Sequence, residues 1–145
     1  MAMEIRRSVP DDAGDIEKLE ALCFSDPWSR KDIFSYICDP TGMCFTALSD
    51  GKVVAYVIGR LIAPEAEIYR IATSPDHRGR GIAYRLLSYA TKTERSRGLE
   101  VVFLEVRRRN LNALSLYYSF GFEKLGERKN YYKNPDDDAI VMIYK

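Results

Sequence analysis

Apolar residues recur along the chain with two different spacings, and their alternation predicts the order of strands and helices. Apolar or alternating runs typical of strands are MEIRRSV, MCFTALS, KVVAYVIGRLI, AEIYRIAT, VVFLEVR, FEKLGERKNYY and AIVMIYK. Helical spacing is found in residues 11–23, 29–37, 81–97 and 113–120. The predicted order is therefore β α α β β β α β α β β, an α/β (α+β) architecture in which helices pack against a mixed sheet.

Short polar signals mark the limits of these elements. Asp50-Gly51 between two apolar runs is a strong hairpin signal, Ser29 followed by Asp32 is a capping-box pattern, and Gly121 is placed to end the fourth helix. Since VVFLEVR is apolar on both faces, we expect an internal strand that is parallel to AEIYRIAT and joined to it by a right-handed crossover. For the third helix the spacing predicts a buried face that contains Ile82, Leu86, Tyr89, Ala90 and Thr93.

Composition limits the classes of function. With 145 residues, 46% of them hydrophobic, the chain is expected to form a single globular domain over residues 1–145. The net charge of +1 gives no general attraction to nucleic acid, and no apolar stretch approaches the ~20 residues of a membrane span. Three cysteines without a CxxC pair favour a reducing, cytoplasmic location, and no set of residues has metal-ligand spacing.

The segment HRGRGIAYRLL, residues 77–87, begins a helix with residues that are unfavourable at a helix start. Gly79 and Gly81 each cost roughly 0.5–1 kcal/mol relative to alanine inside a helix. Arg78 and Arg80 add positive charge to the helix end that is already positive. A bound phosphate reverses both effects, because it accepts hydrogen bonds from the free amides of the first turn and attracts the arginines. The alternative is that the glycines only shape a tight turn.

Together with its flanks, this segment indicates a family. RIATSPDHRGRGIAYRLL resembles the acetyl-CoA-binding segment of GNAT N-acetyltransferases, whose pattern Arg/Gln-x-x-Gly-x-Gly/Ala is met by Arg78, Gly81 and Ala83. NLNALSLYYSFGF resembles the family's second pattern, which is met by Asn110, Ala113, Leu116, Tyr117, Gly121 and Phe122. The element order agrees as well. The resemblance therefore covers nearly the whole chain and implies the GNAT fold, a mixed, mostly antiparallel seven-stranded sheet flanked by four helices.

Two further segments narrow the resemblance. FSDPWSRKDI and RKNYYKNPDDDAIVM are similar to segments of RimI-type and Ard1-like protein N-terminal acetyltransferases. This implies an enzyme that transfers an acetyl group from acetyl-CoA to the N-terminal α-amine of a protein, and a ribosomal protein is a candidate acceptor. We expect the enzyme to be a monomer or weak dimer and to need no metal. Residues expected to contact acetyl-CoA are Ile71, Ala72, Arg78, Gly79, Arg80, Gly81, Ile82, Ala83, Asn110, Ala113 and Tyr117.

Acetyl transfer to an amine needs a base, a donor to the developing oxyanion and an acid for the leaving thiolate. Glu105 is the best candidate for the base, because it interrupts an otherwise apolar strand and RimI-type enzymes carry Glu at this position; the alternative is a structural salt bridge to an arginine. The family pattern assigns Tyr117 as the acid, and a phenol with a pKa of about 10 is protonated at neutral pH. The alternative for Tyr117 is an aromatic residue on the buried face of its helix. Tyr118, roughly 100° further around that helix, points elsewhere and is therefore the control residue. By resemblance, the oxyanion contact is a backbone N–H near Ile71 or Ala72.

Other residues are candidates for the acceptor site. We expect Tyr131 and Tyr132 to form one wall over the incoming N-terminus, and Pro27 with Trp28 to form the opposite wall, although ordinary packing also explains both pairs. Arg70 stands where RimI relatives often carry a small polar residue such as Asn. If its side chain faces the groove, it favours acidic N-termini or peptides; if it faces away, it has no part in selection.

Two other functions stay open. The chain is alternatively a GNAT enzyme for a small-molecule amine or a lysine side chain, although the Tyr131-Tyr132 segment favours the N-terminal reaction. It is otherwise a non-catalytic CoA-binding regulatory module, against which the presence of both Glu105 and Tyr117 argues. A comparison of turnover on peptides with free N-termini, N-blocked lysine peptides and polyamines separates the N-terminal acetyltransferase from a GNAT enzyme for other amines. Tight CoA binding without turnover on any amine would support the regulatory module.

Overall fold

The computed structural model describes residues 3–145, and over that range the chain forms a seven-stranded sheet with four α-helices against it. The strands are β1 Met3–Arg7, β2 Gly42–Ser49, β3 Lys52–Ile62, β4 Glu65–Thr73, β5 Val101–Arg107, β6 Glu123–Tyr132 and β7 Asp137–Tyr144. The helices are α1 Ala13–Cys23, α2 Arg30–Cys38, α3 Ile82–Arg95 and α4 Leu111–Phe120. The element order predicted from the sequence is confirmed.

The sheet is mixed and mostly antiparallel, as predicted. Its strand order is β1-β2-β3-β4-β5-β7-β6, and β4 and β5 form its parallel pair within the described residues. The remaining neighbours run antiparallel. A parallel pair requires a long crossover between its strands, and α3 supplies it.

The parallel pair separates along its length. Residues Glu65 to Ile68 pair with Val101 to Leu104, whereas β4 continues to Thr73 and β5 to Arg107 without pairing to each other. The carboxyl ends of the two strands therefore border an opening in the middle of the sheet.

A β-bulge in β4 lies where the separation begins. Ile58 is opposite Arg70 and Gly59 is opposite Ile68, so Tyr69 is the extra residue of β4. The backbones are close at this point, since a Cβ on Gly59 would lie 2.4 Å from the carbonyl oxygen of Glu67. A bulge bends its strand and increases its local twist, which accounts for the divergence of β4 from β5.

Buried side chains cover both faces of the sheet. On one face, Ile16 of α1 and Ile33 of α2 share an apolar cluster with Tyr56 and Ile58 of β3. Val57, which points to the opposite face, belongs to a larger cluster with α3 and α4. The helices thus form a layer on each side of the sheet, and the opening between β4 and β5 lies between these layers.

The buried face of α3 differs from the prediction. Tyr89 is 41% exposed and Thr93 is half-buried, and the buried residues of the helix are Ile82, Leu86, Leu87, Ala90, Thr91 and Glu94. The carboxylate of Glu94 is buried because Arg7 and Arg97 lie 2.5 and 2.8 Å from its two oxygens. Paired in this way, a charged residue occupies a core position that an apolar pattern does not predict.

Candidate active site

The first of two clefts lies between the end of β4, the start of α3 and the start of α4. It has a volume of about 550 Å³. Of the predicted cofactor-binding residues, the cleft is lined by Ile71, Ala72, Arg78, Gly79, Gly81, Ile82, Ala83, Asn110, Ala113 and Tyr117. Arg80 is exposed and does not line it. The sequence motifs around positions 78–83 and 110–117, which are distant along the chain, therefore meet at one cleft.

The glycines before α3 adopt a conformation that other residues reach at a cost. Gly79 and Gly81 have φ angles of 75° and 74°, in the left-handed region. A Cβ at either position would meet no atom within 4 Å, so backbone conformation rather than space explains the choice of glycine. Gly81 is the N-cap of α3, and the amides of the first helical turn have no partner inside the helix. The residues that carry these amides line the cleft, which makes the helix start a ready site for an anion.

Two polar side chains shape this cleft. The Arg78 guanidinium donates to the carbonyl oxygen of Thr73 at 3.2 Å and lies 3.5 Å from the sulfur of Cys23. The side chain of Asn110 accepts a hydrogen bond from the amide of Ala113 at 3.1 Å and so caps α4. Asn110 is therefore a capping residue as well as a lining residue, and both roles account for its place in the motif.

A second, smaller cleft of about 280 Å³ occupies the opening between β4 and β5. Its walls are residues 23–26, the ends of the two strands and Tyr132 of β6. The predicted site residues that line it are Arg70, Ile71, Glu105, Tyr117 and Tyr132. The side chain of Arg70 thus faces this groove rather than away from it.

Tyr117 lies where the two clefts join. It lines both clefts, together with Cys23, Phe24 and Ile71. Its side chain is buried and packs edge-on against Phe122. Burial raises the pKa of Tyr117 above its ordinary value, so the phenol is protonated at physiological pH and available as a proton donor. Tyr118 is half-exposed and lines neither cleft, as its rotation about the helix predicts.

Glu105 occupies the cleft-facing side of β5, whose alternate residues are buried in the core. Its Oε2 atom lies 3.6 Å from Nε of Arg128, and it makes no hydrogen bond with another described residue. An arginine for the structural salt bridge, the alternative role of Glu105, is therefore present. Because Arg128 is more than half exposed, solvent screens this pair. The Oε2 atom is enclosed by protein and has no hydrogen-bond partner among the described residues, so its charge is balanced by Arg128 rather than by a hydrogen bond.

Tyr132 faces Glu105 across the second cleft. Burial, and next the charge of Glu105, raise the pKa of Tyr132 to about 12, so its phenol is also neutral at physiological pH. The Tyr131 ring packs edge-on against the Tyr132 ring, is about half exposed and lines neither cleft. Of the predicted tyrosine pair, Tyr132 contributes to the wall directly and Tyr131 lies behind it.

The opposite wall is displaced from its predicted position. Pro27 does not line either cleft, and Trp28 lines a neighbouring surface pocket where it stacks on Tyr36. The cleft is bordered instead by the residues just before them, among which are Phe24 and Asp26.

Sequence reasoning also missed residues of the site on the two strands. Tyr69 reaches the cleft because of the bulge, which no local pattern indicates. Arg107 lines the cleft, donates to the carbonyl oxygens of Lys133 and Pro135, and lies over the ring of Tyr132. The period of two in a strand places Arg107 on the same face as Glu105, so this residue had a usable signal.

No group of three or more His, Cys, Asp or Glu side chains is arranged to hold a metal ion within residues 3–145. Across the same range no helix is both long and apolar enough to cross a membrane.

Comparison with known proteins identifies relatives of the chain. The model of the acetyltransferase (GNAT) family matches residues 13–122. The ribosomal protein bS18-alanine N-acetyltransferase of Escherichia coli strain K12 is 33% identical over 126 residues, which cover 86% of this chain and 84% of that protein. N-alpha-acetyltransferase RimI of Mycobacterium tuberculosis is 36% identical over 137 residues, 90% of this chain and 85% of that protein.

Two solved structures have the same fold as this chain. The crystal structure of the ribosomal-protein-S18-alanine N-acetyltransferase from Escherichia coli superposes with a TM-score of 0.91 at 30% identity and covers 98% of this chain and 92% of that one. Ard1 from Thermoplasma volcanium superposes with a TM-score of 0.90 at 23% identity, covering 99% and 97%. At that identity the second likeness concerns the fold alone.

Proposed function

The chain belongs to the GNAT acetyltransferase family, and we propose that it transfers an acetyl group to the N-terminal α-amine of a protein. It is an N-acetyltransferase, and acetyl-CoA is its acetyl donor. We propose that the whole chain, residues 1–145, acts as one catalytic domain. Its free cysteines Cys23, Cys38 and Cys44 are consistent with a cytoplasmic location, which is part of the proposal.

The observation that carries the proposal is the position of Tyr117 at the junction of two clefts. One cleft has the glycine turn and the free amides of a helix start, and the other is lined by the carboxylate residue Glu105. A residue that assists the transfer of an acetyl group from one ligand to another must lie where both ligands reach it. Tyr117 occupies that position and carries a protonated phenol.

The start of α3 fits the pyrophosphate of CoA. The amides that follow Gly81 point from a helix end with partial positive charge, and Arg78 lies beside them. When bound there, acetyl-CoA supplies an activated thioester carbonyl and a thiolate leaving group. The amides of Ile71 or Ala72, on the end of β4 that pairs with β3 but not with β5, are the proposed donors to the oxygen on which charge develops.

The acceptor amine would enter the second cleft. An N-terminal amine has a reference pKa of about 7.7–8.0, so a modest base removes its proton near neutral pH. Glu105 is the proposed base, directly or through one water, and Tyr117 is the proposed acid that protonates the leaving sulfur. Tyr132 and the segment around Asp26 would enclose the first residues of the acceptor. A ribosomal protein N-terminus is one candidate, because relatives carry that activity in their names.

Steady-state acetylation assays test the proposal. We expect acetyl-CoA-dependent labelling of peptides with free N-termini, and no labelling of N-blocked lysine peptides or polyamines. Tyr117→Phe should lower kcat by about 10²–10⁴-fold, the range of general acid–base catalysis. Tyr118→Phe, on the neighbouring exposed tyrosine, is the matched control and should retain wild-type kcat.

Each result has a defined meaning. Labelling of polyamines or lysine side chains in preference to N-termini would replace the proposed acceptor class. Tight CoA binding without turnover on any amine would indicate a regulatory module. An unchanged kcat in Tyr117→Phe would remove Tyr117 from the mechanism. Mass spectrometry of proteome N-termini with and without the protein would then identify the acceptor.

A further inference from the structure

Arg70 makes several contacts with a single neighbouring segment of the chain. Its Nη2 atom donates to the carbonyl oxygen of Asp26 at 2.7 Å. Its guanidinium carbon lies 4.1 Å from the ring centre of Phe24 and 5.0 Å from that of Trp28. Its side chain is 13% exposed although it lines the second cleft. One side chain of β4 therefore contacts the beginning, middle and end of residues 24–28, which we call the wall segment.

A buried carboxylate joins the same contacts. Glu20 of α1 is fully buried, and its Oε1 atom lies 3.4 Å from Nε of Arg70. The same oxygen accepts a hydrogen bond from the amide of Trp28 at 2.8 Å, and Oε2 accepts one from the hydroxyl of Tyr56. Burial and then Glu20 raise the pKa of Tyr56, so this phenol remains a donor. Glu20 thus fixes Trp28 directly and Arg70 by charge.

This arrangement decides between the two roles that the sequence left open for Arg70. A guanidinium that selects acidic acceptors must present uncompensated charge to the cleft. Here the charge of Arg70 is balanced by a carboxylate that has no access to solvent, where attraction is least screened. Its donor geometry is directed at the wall segment.

We propose that Arg70 is a positioning residue for acceptor binding, which holds the wall segment in place and, because Glu20 balances its charge, does not select acidic N-termini. The inference rests on the proposed function, since it assigns the second cleft to the acceptor. It concerns a residue at which this chain departs from the Asn expected in RimI-type relatives.

Two substitutions separate geometry from charge. Arg70→Gln removes both, whereas Arg70→Lys keeps the charge but loses the planar fork that spans two rings and a carbonyl oxygen. Both variants should raise the KM for peptide about tenfold or more, because a small displacement of a wall weakens productive binding. The KM for acetyl-CoA should stay within about twofold, as Arg70 does not line the first cleft. The ratio of kcat/KM for peptides that differ only by Glu or Gln at the second position should not change.

The chain offers a reporter that does not depend on activity. Trp28 is the only tryptophan in the sequence and lies in the wall segment. Acrylamide quenching of its fluorescence should increase in both Arg70 variants. Arg60→Gln is the matched control, because Arg60 lies over Tyr36 in the same aromatic neighbourhood but lines neither cleft. Circular dichroism and Tm establish that each variant is folded, and Arg70→Lys carries the test if Arg70→Gln is not.

The outcomes are distinct. Wild-type peptide KM in Arg70→Lys, or a loss of preference for Glu over Gln in Arg70→Gln, would show that charge rather than position matters and would overturn the proposal. Unchanged quenching in both variants would overturn it as well. If the wild-type protein acetylates no peptide, the proposed function fails, while the quenching of Trp28 still decides whether Arg70 fixes the wall segment.

Discussion

Substitution of Gly81 by alanine tests whether the left-handed turn before α3 controls cofactor binding. Gly81 has a φ of 74° and is the N-cap of a helix whose first residues line the larger cleft. Alanine adds one methyl group, and that group would meet no atom within 4 Å. The effect of the substitution is therefore conformational rather than steric.

The size of the effect follows from the backbone. A residue with a Cβ in the left-handed region costs roughly 1–2 kcal/mol. The turn is exposed and no packing holds the new methyl group, so the free protein relieves this strain by local rearrangement. Binding of acetyl-CoA must restore the turn, and 1–2 kcal/mol corresponds to about a 5- to 30-fold increase in KM for acetyl-CoA. The KM for the acceptor peptide should remain within about twofold.

Gly51→Ala is the matched control for this substitution. Gly51 has a φ of 81° in the β2–β3 turn, and its Cβ would also meet nothing within 4 Å. Unlike the turn before α3, this turn is held in place by the pairing of Ser49 with Lys52, so the same cost should appear as a lower Tm, by about 2–4 °C per kcal/mol, with both KM values unchanged. Initial-rate assays with each substrate varied in turn, together with thermal denaturation, measure these quantities. An acetyl-CoA KM that is unchanged in Gly81→Ala, or raised equally with that of the peptide, would refute the reasoning.

Three further predictions concern other parts of the molecule. Gly59→Ala should lower the free energy of unfolding by about 1–3 kcal/mol, because its Cβ would lie 2.4 Å from the Glu67 carbonyl; urea denaturation measures this, and a neutral result would mean that the bulge yields freely. Although burial alone would raise the pKa of Asp12, hydrogen bonds from an arginine and a backbone amide lower it, so the carboxylate stabilises the fold above pH 4 and this contribution is lost as pH falls below about 4. Asp12→Asn should therefore destabilise the protein at pH 7, with a difference in Tm from wild type that narrows in acid; a constant difference would contradict this. Glu105→Gln should lower kcat by about 10²–10⁴-fold with little change in either KM, and an unchanged kcat would leave Glu105 only its ion pair with Arg128.

Local chemistry allowed much of the fold to be predicted from the sequence. Asp50 and Gly51 both have positive φ, as the two-residue hairpin turn requires. The Ser29 hydroxyl accepts from the amide of Asp32 at 3.1 Å, so the start of α2 was also signalled locally. The motif positions Arg78, Gly81 and Ala83 line one cleft, and they lie close together along the chain.

The rest depended on contacts between distant residues. Glu94 is buried on α3 because Arg7, 87 positions away, pairs with it. Tyr69 reaches the second cleft because β3 and β4 pair with an irregular register, and only the assembled sheet reveals that register. The predicted wall residues Pro27 and Trp28 belong to the wall segment, but the residues that line the cleft precede them, since Arg70 and Glu20 fix the segment from other elements.

The separation of β4 from β5 has a consequence for the shape of an acceptor. It creates two strand edges inside the sheet, where backbone groups from residue 69 to Thr73 lack a partner on β5. An exposed edge ordinarily invites other chains to pair, and these edges border a cleft of about 280 Å³. An extended backbone has free N–H and C=O groups to pair with such an edge, whereas those of a helix are already bonded within the helix. The protein should therefore modify chain ends that are unstructured at the moment of reaction and leave those already folded into a helix untouched.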